Sequence, residues 1–127
     1  MYGTNGYNAY KKNSVNLASK DQLLLMLVDG AVKYSKISRQ ALEDNDLVKA
    51  NDNLIRTQDI FVELMTTLNT DAGEWTENLL VLYNFINKKL IETNINKDIK
   101  ILDETIPLIE GIRDMWYDVN KAAKKAL

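Results

Sequence analysis

Ser19-Lys20-Asp21-Gln22-Leu23-Leu24-Leu25-Met26-Leu27-Val28-Asp29-Gly30 is the stretch on which the fold turns. Its first four residues spell a capping box: Ser19 can accept from the backbone N–H three residues on, and Gln22 can reach back to the Ser19 N–H. The run Leu23–Val28 therefore sits on a helix. Six consecutive apolar residues exceed what one core face needs. At 100° per residue, Leu24, Leu27, Ala31, Tyr34 and Ser38 share a face, with Leu25 and Met26 on opposite shoulders. Such a helix is either buried on several sides or offers a second surface to a partner.

The chain predicts four helices. The first spans Lys20 to Glu43, and Asn45 or Asp46 caps the second, which runs from Leu47 to Leu68. Asn69–Gly73 is a loop. The third helix covers Glu74 to Thr93, and Asn94-Ile95-Asn96 is the turn into the fourth, which ends near Asn120. The basic stretch after it, Lys121 to Leu127, is expected to fray. Pro107 falls inside the fourth helix, where it removes one backbone bond and crowds the Asp103 carbonyl, so a kink or break is expected there. Residues 1–18 carry Tyr2, Tyr7 and Tyr10 without helical periodicity and read as a flexible arm on a bundle domain of residues 19–127. No segment alternates with period two, so no strands are expected. Short connections between helices of this length make antiparallel neighbours. The fold class is all-α, an up-down-up-down four-helix bundle.

Composition narrows the function. In 127 residues there is neither histidine nor cysteine, and the net charge is −2. This removes the commonest general base, the commonest metal ligands and any thiol nucleophile. The scattered glycines make no phosphate-binding loop. The chain is expected to be no enzyme and to need no cofactor or metal. Its charge suggests no nucleic-acid partner. No apolar run approaches the ~18 residues of a membrane span, and the N-terminus has no signal-like apolar region. A cytoplasmic location is the expectation.

Apolar residues exceed the core on every helix. Ala50, Leu54, Thr57, Phe61, Leu64 and Leu68 make the core face of the second helix, but Val48, Ile55 and Val62 form another stripe more than ~100° away. On the third, Leu79, Leu82, Tyr83, Ile86 and Leu90 face the core while Val81 and Phe85 point elsewhere. The fourth carries Ile99, Leu102, Ile106, Ile109, Trp116 and Tyr117 on one side and Ile101, Leu108, Ile112 and Val119 on the other. Bundle helices ordinarily have wide apolar arcs, since each touches two neighbours. Extra stripes on all four suggest long grooves for an apolar helix or extended segment. Asp29 reads as a solvated carboxylate, and Gly30 as the site of a close helix crossing.

These residues resemble the flagellin-specific export chaperones, the FliS family. The matching blocks are Ala9-Tyr10; SKDQLLLMLVDG at 19–30 with Ala31-Val32-Lys33; Lys49-Ala50-Asn51; Gln58-Asp59-Ile60 through Glu63-Leu64 to Leu68; Asn78-Leu79-Leu80 through Leu82-Tyr83; Leu90-Ile91-Glu92-Thr93-Asn94; and Trp116. Val28 stands where such proteins usually have Tyr, and Pro107 where Gly or another helix-tolerated residue is expected. The resemblance implies a cytoplasmic helical bundle that binds the disordered C-terminal segment of flagellin. It would prevent premature polymerisation and deliver flagellin to a component of the type III export gate, with the arm covering part of the groove when flagellin is absent. Wheel position and resemblance together nominate Tyr10, Leu25, Met26, Val48, Ile55, Val62, Val81 and Phe85 for the flagellin-binding groove. The chain is expected to be a monomer or weak homodimer. The alternative reading is a self-associating bundle whose extra stripes form its own interface.

Overall fold

The computed structural model describes residues 20–126, and they form four helices and one short 3-10 turn. Helix α1 spans Lys20–Glu43, α2 Leu47–Thr67, α3 Glu74–Asn96 and α4 Ile99–Ala126, with the 3-10 turn at Thr70–Ala72. α1 packs on α2 and α4, and α3 packs on the same two helices, so the diagonal pairs α1/α3 and α2/α4 stay apart. The result is the antiparallel up-down-up-down bundle, without strands among the described residues. The expected arm, the Ser19 cap and Tyr10 lie outside them.

Turn chemistry explains the corners. Asn45 takes the left-handed conformation at φ 57°, which Asn tolerates better than most side chains. Asp46 then caps α2, its carboxylate accepting from the Lys49 N–H at 3.2 Å. Gly73, at φ 145°, starts α3 in a region that favours glycine. The third corner differs from expectation. Asn94, Ile95 and Asn96 remain helical, and the reversal comes at Lys97, which caps α3 at φ 50°. Lys97 Nζ holds that conformation by donating to the Asn94 carbonyl and to its Oδ1, both at 2.6 Å.

The core is one cluster drawn from all four helices, with Leu54, Phe61, Tyr83, Ile86, Leu90, Leu102 and Ile109 almost wholly buried. Phe61 and Tyr83 meet edge to face, ring centroids 5.9 Å apart, a favoured aromatic arrangement. Buried hydroxyls cost little here because each bonds its own helix. Ser38 donates to Tyr34 O, Thr57 to Asn53 O and Thr105 to Ile101 O, all within 2.8 Å.

Three local expectations are corrected. The core face of α1 is Val28, Ala31, Val32, Ser35 and Ser38, while Leu24, Leu27 and Tyr34 are only partly buried. Val28, which stands where such proteins usually have Tyr, is buried in the core. Pro107 does not break α4, which runs unbroken to Ala126, past the expected end near Asn120. Pro107 is exposed, so the carbonyl it leaves without a donor lies on the side that water reaches. Lys124 and Lys125 suit the negative end of the helix dipole.

Candidate partner-binding surface

The seams between helices differ in chemistry. Along α1/α4 the links are polar. Tyr117 Oη donates to Asp29 Oδ2 at 2.6 Å, Lys36 pairs with Glu110 at 3.1 Å, and Arg39 Nε bonds Asp103 Oδ1 at 2.7 Å while reaching Glu43. Asp103, Glu110 and Tyr117 fall seven residues apart and so occupy one flank of α4. Asp29 is thus exposed as expected, and also acts as an acceptor. That bond to Asp29, ahead of burial, raises the Tyr117 hydroxyl above its usual titration range. Bonding to Asp103 likewise raises Arg39.

The seams that border α3 are apolar on their outer edges. Asn94 Nδ2 donates to Asn51 Oδ1 at 2.9 Å and so fixes which flanks of α2 and α3 meet. Ile55 and Val62 share the Asn51 flank of α2, and Ile91 lies near Asn94 on α3. These are exposed by 43, 50 and 40%. Phe85 lies about 180° from Asn94 around α3, hence toward α4. There it faces the flank of α4 opposite the polar ladder, which carries Leu108 and Val119, both exposed. Val81 and Ile95, the most exposed of these side chains at 68 and 76%, bridge the two seams across the outside of α3.

The nominated residues therefore divide. Val48, Ile55 and Val62 line one flank of α3's surroundings, Phe85 the other, and Val81 the surface between them. Met26 is 68% exposed but stands on α1, diagonal to α3, apart from this band. Leu25 is partly buried and packs against the core. Gly30 behaves as expected, since a Cβ there would stand 3.1 Å from Ile60 Cδ1 of α2.

One feature escaped the sequence reading. Where α1 begins and α2 ends, a cavity of about 540 Å³ opens among Leu23, Leu24, Leu27, Leu68, Trp75 and Trp116, with Lys20, Asp21 and Glu63 also lining it. Trp75 and Trp116 meet edge to face at 6.2 Å. Trp116 Nε1 donates to Tyr83 Oη at 2.8 Å. Burial pushes the Tyr83 hydroxyl up, the Trp116 bond pulling the other way. The surplus of leucines at 23–27 was the available signal, but a void where helix ends meet leaves no periodicity. Among the described residues no group of three His, Cys, Asp or Glu side chains could hold a metal, and no helix is long and apolar enough to cross a membrane.

A helical bundle that closes its own core and leaves apolar side chains exposed along its outer seams is the class of fold the structure defines. Comparison with known proteins agrees. The family model described as "Flagellar protein FliS" matches residues 3–123. The chain is 35% identical to the flagellar secretion chaperone FliS of Bacillus subtilis over 95% of its length and 90% of that protein. It is 30% identical to the same chaperone of Salmonella typhimurium, covering 97% of this chain and 96% of that one. A solved structure described as a flagellar chaperone from bacteria shares the fold, with TM-score 0.74 and 16% identity across 94% of this chain and 98% of the other. The chain belongs to the FliS family of flagellar secretion chaperones.

Proposed function

We propose that the chain binds the disordered C-terminal segment of flagellin in the cytoplasm, keeps it from polymerising, and presents it to the flagellar type III export apparatus. The observation that carries this reading is the apolar band around α3. Ile55, Val62, Val81, Phe85 and Ile95 are exposed although the core beneath them is already closed by other side chains. A disordered segment loses several kcal/mol of ordering free energy when it folds on binding, and an apolar surface spread over three helices offsets that loss. An amphipathic segment laid along the seams would place its apolar side chains against these residues, the helix-in-groove mode.

Titration with a flagellin C-terminal peptide, followed by calorimetry and by peptide helicity, tests the proposal. One-to-one binding with helix gained by the peptide is the expected result. A stable dimer that takes up no peptide, seen by light scattering, would instead assign the band to self-association.

A further inference from the structure

The fourth seam, between α1 and α2, is neither polar-closed nor apolar. Gly30 brings the two helices together there: a Cβ on it would stand 3.1 Å from Ile60 Cδ1 and 3.6 Å from Tyr34 Cε2, so the Tyr34 ring lies beside it on the seam. Two cations meet that ring. Arg56, from α2, stands 5.5 Å from its centroid and Lys33, from α1, 5.7 Å. The other two arginines of the chain are paired, Arg39 with Asp103 and Glu43, and Arg113 with Asp114. Among the described residues neither Arg56 nor Lys33 has a carboxylate within ion-pair distance. The acids nearby in sequence do not serve them. Asp29, one turn before Lys33, accepts from Tyr117 instead. Asp52 and Asp59, a turn to either side of Arg56, are exposed and form no ion pair with it. Lys49, seven residues before Arg56, extends the same flank of α2 and is exposed and unpaired too.

The charges restrict the occupant. Both cations gain from the ring, but two like charges beside it repel, and an anion from outside relieves that repulsion. A guanidinium already lodged on a ring loses little further freedom when its fork of donors grips a carboxylate. A continuous phosphate chain fits poorly, because Asp52 and Asp59 border the cations and the chain carries a net charge of −2. Separate carboxylates fit well. Met26, 68% exposed and seven residues before Lys33 on the same flank of α1, adds an apolar contact. The helices are antiparallel, so Met26 and Lys49 mark opposite ends of a strip about 22 Å long, the length of a 15-residue helix. We propose that this strip docks an acidic amphipathic segment of a second protein. Its carboxylates meet Arg56 and Lys33, and one of its apolar side chains covers Met26. The strip is separate from the α3 band, and the proposal does not rest on the flagellin reading.

The probe is a synthetic helical peptide of about 15 residues with Glu and Leu at three- and four-residue spacing, together with a twin in which every Glu is Gln. Each is titrated into the full chain at low salt, with peptide anisotropy for affinity and the Arg56 Nε–H resonance for location. The Glu peptide should bind, shift that resonance and weaken as salt is added. Arg56→Gln should weaken binding about tenfold and Lys33→Gln about threefold, both with Tm unchanged because the side chains are exposed. The Gln twin should bind about tenfold more weakly than the Glu peptide. Absence of binding, equal binding by the twin, or full affinity in Arg56→Gln would overturn the proposal. Loss of binding in Phe85→Asp with Arg56→Gln unaffected would put the peptide on the α3 band and overturn it as well. Displacement of the peptide by an equal concentration of inorganic phosphate would make the strip a site for phosphate groups, with the same consequence.

Discussion

The seam between α1 and α4 and the two seams beside α3 are built from the same helices but solve different problems. The first is closed on its outer edge by Asp29–Tyr117, Lys36–Glu110 and Arg39–Asp103. The others leave Ile55, Val62, Phe85 and Leu108 facing water. Exposed ion pairs contribute little to stability and are screened by salt, so the polar ladder matters chiefly for leaving charged, hydrated groups along that edge. The apolar edges are what a monomeric bundle avoids, unless something covers them. On the proposed function, the α1/α4 side is the finished one and the side around α3 is the one a partner covers.

The largest effect expected lies beneath both regions. Phe61→Ala opens a hole under Tyr83 and should cost about 3–5 kcal/mol in denaturant titration. Ile55→Asp and Phe85→Asp probe the exposed edges instead. Each should leave helicity and Tm nearly intact while weakening peptide binding about tenfold by calorimetry. Unfolding by either variant would break the comparison, because it would make these positions part of the core.

The core and the exposed edges were not equally legible in the sequence. On α2 the face was plain, because Asn51, Asp52, Arg56 and Asp59 interrupt the apolar positions and mark the polar side. On α1 six consecutive apolar residues give no such contrast. The buried face there runs through Ser35 and Ser38, whose hydroxyls bond their own helix and so pack like small apolar groups. Gly30 against Ile60 lets α1 come close to α2, and small residues are what such closeness requires. Ile55, Val62, Val81 and Phe85 could be placed off the core from wheel position alone. Their division into two seams could not, because it depends on which flanks meet, and that is fixed by contacts such as Asn51–Asn94. The cavity was less legible still, since it exists only where helix ends from four segments converge.

A smaller effect tests where the waiting side stops. Gly111 is exposed on α4, and a Cβ built there meets nothing within 4 Å. Gly111→Ala should therefore stabilise the helix by about 0.5–1 kcal/mol. Peptide affinity should not change, because Gly111 belongs to neither seam. A loss of affinity would mean that the partner crosses the outer face of α4, and the apolar region would have to be redrawn to include it.

The smallest effect concerns the finished seam and its pH dependence. Tyr117 donates to Asp29, and that bond holds the phenol protonated above its ordinary value of 10.0. A group whose pKa is raised on folding binds its proton more tightly in the folded state. Its contribution is complete below the unfolded pKa and is lost as pH rises through the folded one. Stability should therefore fall as pH climbs above about 10, with Tyr83, raised mainly by burial, adding to the slope. Tyr117→Phe should change stability little near neutral pH and make the alkaline slope shallower in Tm measured against pH. Peptide affinity near neutral pH should match that of the unaltered chain. Weakened binding would place the α1/α4 seam within the partner's footprint, and the division between a finished and a waiting side would fail.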